Sequence, residues 1–156
     1  MKNVVVTGMG IVSCIGNNLQ EVLDSLKIGR SGISKNVEYE EMGFRSHISG
    51  SVNLNFSELI DRKTLRFMSE ASGFGYIAAQ EAISNALINI NEIDSSRIGI
   101  VAGSGGASSA AQIEASDIVR KRGPKKIGPY AVTKTMGSTV SAILGTSLKL
   151  QGVNYS

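Results

Sequence analysis

The chain has 156 residues, of which 42% are hydrophobic and 19% charged, and its formal net charge is +3. This composition fits one globular domain and excludes a disordered chain. One cysteine and one histidine exclude an internal disulfide and give no zinc site, and no apolar run approaches the roughly 18 residues of a membrane span. We therefore expect a soluble, cytoplasmic protein.

The first predicted elements are a strand and a helix, joined by a glycine-rich turn. Residues 3–7 are mostly β-branched without alternation, which predicts a short, fully buried strand. Asn18, three residues before Glu21, is typical of a capping box and begins a helix that ends near Gly29. The apolar face of this helix consists of Leu19, Val22, Leu23 and Leu26.

The middle of the chain is polar and then becomes helical. The mixed, polar pattern of residues 30–60 predicts loops with short strands, and the pattern of residues 62–87 predicts one long helix. Gly73 and Gly75 each disfavour a helix by about 1 kcal/mol, so we expect them to permit close contact with a neighbouring element. The buried side of the long helix is predicted to contain Leu65, Met68, Ala71, Ala79, Ala82, Ile83 and Leu87.

The last third predicts a strand at 97–102, a helix near 107–121, a buried helix at 130–145 and a third strand at 148–155. This order implies a parallel α/β layer. Such a layer needs cover on both faces. We therefore expect the isolated chain to expose apolar surface and to be prone to aggregation, unless further sequence or another chain covers it.

Three motifs suggest chemistry but favour structural roles. Residues 8–13 resemble a dinucleotide-binding turn, but Ser13 replaces its third glycine and no acidic residue ends the next strand. Residues 103–106 lack the lysine of a phosphate loop, which favours a turn that lines a pocket. Cys14 and His47 have no third orienting group, so we interpret them as a buried small hydrophobe and a loop histidine.

Basic residues are clustered, which indicates an acidic partner. Arg62 and Arg66 share one helix face at the helix start, where cations do not stabilise the helix dipole. The partner is a nucleic acid or an acidic protein, and the lack of interleaved aromatic residues argues against a nucleic acid. The two clusters are Arg62, Lys63 and Arg66, and Arg120, Lys121, Arg122, Lys125 and Lys126.

Seven segments, in this order, resemble the N-terminal part of β-ketoacyl-[acyl-carrier-protein] synthases of type I, the elongating condensing enzymes of bacterial fatty acid synthesis. They are VTGMGIVS (6–13), IGNN (15–18), GRSGI (29–33), LIDRK (59–63), AGSGG (102–106), VTKTM (132–136) and GVNYS (152–156). Type I is suggested chiefly by residues 61–67 and 154–156. The resemblance covers residues 1–156 and implies a thiolase-like α/β fold with a mixed, mostly parallel sheet covered by helices. This chain would be one partial domain, the incomplete N-terminal half.

The resemblance also implies an activity and partners. The family transfers an acyl group, condensing an acyl thioester with malonyl-carrier protein with loss of carbon dioxide. It works as a homodimer and needs no cofactor, because the phosphopantetheine arm of acyl carrier protein carries the substrates. The family's nucleophilic cysteine, two histidines and lysine match no residue here, and Cys14 does not stand at the nucleophile position. We therefore assign no catalytic residue and no metal ligand, and expect the chain alone to be inactive.

Other functional positions of the family do match this sequence. The docking surface for acyl carrier protein matches Arg62, Lys63 and Arg66, with a second patch at Arg122, Lys125 and Lys126. The acyl pocket matches Gly106, Ala107 and Met136. The strand that pairs across the family's dimer matches Val153, Asn154, Tyr155 and Ser156.

Three functional hypotheses remain open at this point. The chain is the N-terminal portion of a condensing enzyme, a non-catalytic fragment that binds acyl carrier protein or dimerises, or a basic domain that binds nucleic acid. We rank the nucleic-acid hypothesis last.

Overall fold

A computed structural model describes residues 3–156. Within this range the helices are Leu19–Lys27 (α1), Val37–Glu41 (α2), Phe56–Leu59 (α3), Arg62–Leu65 (α4), Glu70–Asn85 (α5), Ser109–Arg122 (α6), Ala131–Thr135 (α7) and Thr139–Ser147 (α8). The strands are Ile33–Lys35 (β1), Ile48–Gly50 (β2), Ile100–Val101 (β3) and Asn154–Tyr155 (β4). Short 3-10 helices are formed by Ile90–Glu92, Ser95–Arg97 and Pro124–Lys126. Strands β1 and β2 pair antiparallel, and β3 and β4 pair parallel.

Helix α1 forms where its capping residues predict it. The N–H of Glu21 donates to the Asn18 side chain at 2.9 Å, and the Glu21 carboxylate accepts from the N–H of Asn17 at 2.8 Å. Gly29 has φ +66°, a conformation that glycine adopts readily, and it follows the helix end. Of the predicted apolar face, Val22 is buried, whereas Leu23 and Leu26 are exposed.

The predicted strand at residues 3–7 is not formed. These residues have no regular secondary structure, and the side chains of Val4, Val5 and Val6 are 96%, 73% and 82% exposed. A strand is stable only when a neighbouring strand satisfies its N–H and C=O groups. None of the four strands within residues 3–156 pairs with this segment.

The glycine-rich turn that follows is held by helix α5. The N–H of Met9 donates to Asn85 Oδ1 at 3.1 Å, and the N–H of Ile11 donates to Glu81 Oε2 at 2.9 Å. The other carboxylate oxygen of Glu81 accepts from the N–H of Leu19, the first residue of α1, at 2.7 Å. One carboxylate of α5 therefore fixes both the turn and the start of α1.

Gly8 and Gly10 permit this contact because they have no side chain. A Cβ on Gly10 would lie 2.7 Å from the amide nitrogen of Ala82, and a Cβ on Gly8 would lie 2.7 Å from the Cβ of Ala86. The backbone of the turn thus rests directly on the small residues of α5, which supports the prediction of a tight turn rather than a dinucleotide site.

The predicted long helix at 62–87 is interrupted. Helix α4 ends at Leu65, and Ser69 begins α5 with a capping box in which Ser72 is its partner. The predicted close contacts of the α5 glycines with neighbouring elements are confirmed. A Cβ on Gly73 would lie 2.8 Å from the Phe56 ring, and a Cβ on Gly75 would lie 2.9 Å from Val140. Two residues assigned to the buried side are exposed: Ala71, in the first turn of α5, and Leu87, which lies beyond the end of α5.

The core lies between α5 and α8. Buried Ile60, Met68 and Ile143 form its centre. The predicted helix at 130–145 is divided into α7 and α8 by residues 136–138, and the expected burial is confirmed for α8. Phe56, Leu65, Tyr76 and Ile77 pack around this centre.

The predicted parallel layer is present as two short strands. Ile100 pairs with Asn154 and Val101 with Tyr155, and the N–H of Ala102 donates to the Tyr155 carbonyl at 3.0 Å. The side chain of Val101 is 86% exposed. The layer therefore lacks the third strand that residues 3–7 were predicted to supply.

The contact between the turn and α5 predicts the effect of adding one methyl group. Gly10→Ala is expected to lower the free energy of unfolding by about 2–3 kcal/mol, because backbone atoms of α5 cannot move aside as a side chain can. Chemical denaturation followed by circular dichroism measures this. Gly137→Ala is the matched control, since no atom lies within 4 Å of that Cβ, and it should change the value by less than about 0.5 kcal/mol. Equal effects of the two substitutions would contradict the close packing.

Candidate functional site

The first basic cluster, Arg62, Lys63 and Arg66, is presented by the four-residue helix α4 and the residue after it. Asp61 caps this helix: its Oδ1 accepts from the N–H of Lys63 at 2.9 Å and of Thr64 at 3.0 Å. All three cations are exposed, and none forms an ion pair with another residue in the range 3–156. The cap therefore orients a free positive surface.

Hydrogen bonds also set the charge state of the cap. The hydrogen bonds from Thr64 hold the pKa of Asp61 below its ordinary value of 3.8. The amide hydrogen bond and the positive charge of Lys63 lower this pKa to a smaller extent. Asp61 is thus ionised at neutral pH.

The second basic cluster, Arg122, Lys125 and Lys126, lies at the end of α6 and in the 3-10 helix that follows. The preceding cations of α6 are partly neutralised, because Arg120 and Lys121 lie 3.9 and 3.8 Å from the Asp117 carboxylate. Within the described part of the chain, the three residues of the cluster have no such partner. The structure thereby separates three free cations from two paired ones.

An aromatic contact connects the regions of the two clusters. The rings of Phe67 and Tyr130 meet edge to face, with their centroids 4.9 Å apart. Phe67 directly follows Arg66, and Tyr130 lies four residues after Lys126, a separation that an extended chain spans in about 14 Å. This contact links the segments that carry the two clusters, which are about 60 residues apart in sequence.

A cavity of about 420 Å³ opens beside the first cluster. Most of its wall is apolar, and Lys63 lies at one side of it. Met136, one of the predicted acyl-pocket residues, also lines it. Its lining consists of Lys63, Thr64, Phe67, Thr133, Met136, Ala142, Ile143, Thr146 and Ser147.

The other two residues of the predicted acyl pocket do not line this cavity. Gly106 and Ala107 are in the turn before α6, outside this cavity, and no atom lies within 4 Å of a Cβ on Gly106. The structure thus leaves open space at the glycines of this turn, and neither Gly106 nor Ala107 lines the cavity that Met136 lines.

The predicted dimer strand coincides with β4 and its neighbours. Within residues 3–156, β4 pairs on one side only, with β3, and Val153 and Tyr155 are exposed. Asn154 Nδ2 donates to the Ser141 carbonyl at 3.1 Å, and the hydroxyls of Ser141 and Ser156 are hydrogen-bonded. Helix α8, which forms part of the cavity wall, therefore also anchors this strand.

Cys14 and His47 do not form a nucleophile and base. His47 Nε2 lies 2.7 Å from the Phe44 carbonyl oxygen, and no hydrogen bond joins it to Cys14 in the described part of the chain. The prediction that Cys14 is buried is wrong: it is exposed, because the glycines near its sulfur, Gly32 and Gly50, have no side chains to cover it.

Residues 3–156 contain no group of three or more His, Cys, Asp or Glu side chains placed to hold a metal ion. None of their helices is long and apolar enough to cross a membrane.

The profile of the beta-ketoacyl synthase N-terminal domain matches residues 1–156. The chain belongs to the beta-ketoacyl synthase family. This confirms the resemblance that the seven segments carry.

Two curated relatives of this beta-ketoacyl synthase chain are 3-oxoacyl-[acyl-carrier-protein] synthases. It is 52% identical to 3-oxoacyl-[acyl-carrier-protein] synthase 1 of Haemophilus influenzae over 157 residues, and 50% identical to that of Escherichia coli K12 over 158 residues. All of this chain is covered in both comparisons, but it spans only 39% of the length of each relative.

Solved structures of beta-ketoacyl synthases and ketosynthases share the fold. A beta-ketoacyl synthase from Burkholderia phymatum matches with a TM-score of 0.83 and 21% identity, over 97% of this chain and 38% of its own. The ishigamide ketosynthase/chain length factor matches with a TM-score of 0.82 and 21% identity, over 96% of this chain and 38% of its own. The expected thiolase-like α/β fold is thereby confirmed.

The cap of α4 predicts a pH-dependent change in the first basic cluster. Folding lowers the pKa of Asp61 below 3.8, so the stabilisation that its ionised carboxylate gives to α4 is fully present above pH 3.8. This stabilisation is lost as the pH falls through the lowered pKa of the folded state. The amide proton resonances of Lys63 and Thr64 should therefore titrate with a midpoint below 3.8 in nuclear magnetic resonance spectra. Asp61→Asn, which keeps an acceptor without the charge, should abolish this titration, and a midpoint at or above 3.8 would contradict the capping.

Proposed function

We propose that this chain is the N-terminal portion of a β-ketoacyl-[acyl-carrier-protein] synthase that elongates fatty acids by decarboxylative condensation. The observation that carries the proposal is the 52% identity to 3-oxoacyl-[acyl-carrier-protein] synthase 1 of Haemophilus influenzae, which extends over the whole of this chain. The complete enzyme is an acyltransferase that joins an acyl thioester to malonyl-carrier protein. It acts in the cytoplasm and uses no cofactor beyond the phosphopantetheine arm of the carrier.

The role of this portion is to receive acyl carrier protein. The carrier is acidic, and the six free cations of the two basic clusters attract it and orient it over the cavity beside Lys63. A related fold supports this role, since one similar structure is a type II polyketide acyl carrier protein in complex with its ketosynthase, with a TM-score of 0.75. The charges lie on the rim, so they act mainly on the association rate.

The cavity and the last strand suggest how the rest of the site is built. Met136 lines the cavity and has a flexible side chain that adapts to an acyl chain, and the open space at Gly106, which Ala107 follows, leaves room for one. The free edge of β4 suits pairing with a second copy, which gives the proposed homodimer. Residues 153–156 supply this strand.

Condensation itself needs a paired nucleophile and base, which this chain does not form. Its one cysteine and one histidine are not hydrogen-bonded to each other. The two other hypotheses, a non-catalytic carrier-binding or dimerisation fragment and a nucleic-acid-binding domain, are not favoured by any of the comparisons.

Carrier binding is tested by reversing charge in the first cluster. The double variant Arg62→Glu, Arg66→Glu should weaken binding of acyl carrier protein by about tenfold at low salt, mainly through the association rate. Surface plasmon resonance at several salt concentrations measures both rate constants. Arg45→Glu is the matched control, because Arg45 is exposed in the loop before β2 and outside both clusters. Binding that is independent of salt, or equally weakened by both variants, would contradict the docking surface.

Catalysis is tested separately. The 156-residue chain alone should not release carbon dioxide from malonyl-carrier protein in the presence of an acyl thioester, whereas the full-length relative from Haemophilus influenzae should. Radiolabelled malonyl-carrier protein measures both. Condensation by the chain alone would refute our assignment of no catalytic residue.

A further inference from the structure

Cations are densely placed at the end of α6 and in the 3-10 helix that follows it. Five of the chain's 16 lysine and arginine residues fall within residues 120–126. We call these five residues the basic row, and all of them are exposed. A row of cations attracts any polyanion, so its specificity depends on what it excludes as well as on what it binds. The basic row consists of Arg120, Lys121, Arg122, Lys125 and Lys126.

One acidic residue divides the basic row. The Asp117 carboxylate lies 3.9 Å from Arg120 Nη1 and 3.8 Å from Lys121 Nζ, which are three and four residues further along α6. An acid that precedes its cations by this spacing has the favourable orientation for a helix. The other three cations, which form the second basic cluster, have no such partner within residues 3–156. The row therefore combines two paired cations with three free ones.

The free cations beyond α6 are held close to the helix. Gly123 has φ +83°, which turns the chain out of the helix. The N–H of Lys126 donates to the Gly123 carbonyl at 3.1 Å, and the next residue, Ile127, lines a small cavity together with Ile118 of α6. Lys125 and Lys126 therefore lie beside the end of α6, and a partner meets the basic row as one surface.

Asp117 is not needed to hold α6 together. Both of its ion pairs are exposed, and pairs of this kind contribute little to stability. At the start of α6 the side chain of Ser108 caps the helix by accepting from the N–H of Ala111 at 3.2 Å. Cations in the last turn favour a helix even without a partner, because they complement its dipole. The main consequence of the Asp117 carboxylate is therefore for the molecules that approach the basic row.

A nucleic acid is the partner that an undivided basic row would favour. It carries phosphates at regular spacing, and its affinity rises with the number of phosphates that the protein neutralises. To reach Arg120 and Lys121, a phosphate must displace the Asp117 carboxylate, which repels it.

We propose that Asp117 is a specificity-determining residue, which denies the basic row to nucleic acid and leaves the second basic cluster to an acidic carrier protein. This inference rests on the proposed function. The carrier presents separate carboxylates and also meets the first basic cluster, so it depends little on Arg120 and Lys121. A nucleic acid depends on every phosphate that is neutralised, so it loses more from their pairing with Asp117.

The test measures binding of duplex DNA and of acyl carrier protein to the 156-residue chain and its variants. Asp117→Asn should raise the affinity for a duplex of about 20 base pairs by about tenfold at about 50 mM salt. The slope of log affinity against log salt should become steeper by about two, since two more phosphates are neutralised. Affinity for acyl carrier protein should rise less than about threefold. Fluorescence anisotropy at several salt concentrations measures all three quantities.

Glu114→Gln is the matched control. It removes one negative charge from the same helix, and Glu114 lines the same hollow of about 340 Å³ as Asp117. Glu114 forms no ion pair with another residue in the range 3–156, so its replacement should change the DNA slope by less than about 0.5. Asp117→Glu keeps the charge and should retain the wild-type discrimination.

A triple variant tests whether the freed cations cause the gain. Adding Arg120→Gln and Lys121→Gln to Asp117→Asn should return the DNA slope to the wild-type value. A slope that stays steep would overturn the inference, because another surface would then bind the DNA. Circular dichroism spectra of all variants should be unchanged, and a gain in DNA affinity that appears only with loss of helix signal would also overturn it.

The remaining outcomes separate this inference from the proposed function. Equal gains in DNA affinity for Asp117→Asn and Glu114→Gln would overturn the inference, because net charge alone would explain them. Unchanged DNA binding by Asp117→Asn, while the wild-type chain binds acyl carrier protein, would overturn the inference and leave the proposed function standing. Failure of the wild-type chain to bind acyl carrier protein would overturn the proposed carrier-binding role, whatever the DNA measurements give.

Discussion

The backbone of Gly8 and Gly10 rests directly on helix α5, and most of the molecule is arranged around this helix. Its small residues pack against the glycine turn on one side. Gly73 packs against the ring of Phe56, and Gly75 packs against Val140 of α8. Contacts of this kind depend on the absence of side-chain atoms, so they tolerate almost no enlargement. A chain with few aromatic residues, 5% of the total, fills its interior by bringing backbones together.

Glu81 supplements this packing with two hydrogen bonds of defined geometry. Its two carboxylate oxygens accept from Ile11 and from Leu19, so the turn and the first N–H of α1 are fixed by one side chain. The latter is one of the amide groups that a helix cannot satisfy internally. On the opposite side of the core, α8 connects the strand β4 with the cavity beside Lys63. The basic surface, the cavity and the last strand are therefore carried by elements that pack on one another through α5.

What could be predicted from sequence was largely local. Asn18, Glu21 and Gly29 determine α1 through neighbouring groups, and their effect was predicted correctly. Residues 3–7 have the composition of a strand, but a strand also requires a partner far away in the sequence. The interruption at Ser69 was missed because its partner in the cap is another serine rather than the usual glutamate.

The candidate site also combines local features that the sequence predicts with long-range contacts that it does not. Clustering alone identified the cations, but only the position of Asp117 distinguishes the free residues of the second cluster from Arg120 and Lys121. Glu81 was not predicted to have a role, although one acidic residue within a run of small and apolar ones is a usable signal. The contact of Phe67 with Tyr130 joins distant segments and leaves no local pattern in the sequence.

The attachment of the glycine turn to α5 also has a consequence for the order of events during synthesis. Met9 and Ile11 bond to residues 76 and 70 positions further along the chain. At about 5–20 residues per second, the ribosome needs roughly 4–15 s to make that intervening stretch. During this interval the amides of Met9 and Ile11 lack the side chains that accept their hydrogen bonds. The turn at residues 8–11 therefore reaches its folded arrangement only after α5 has been synthesised, so the N-terminal end of the chain is fixed late although it is made first.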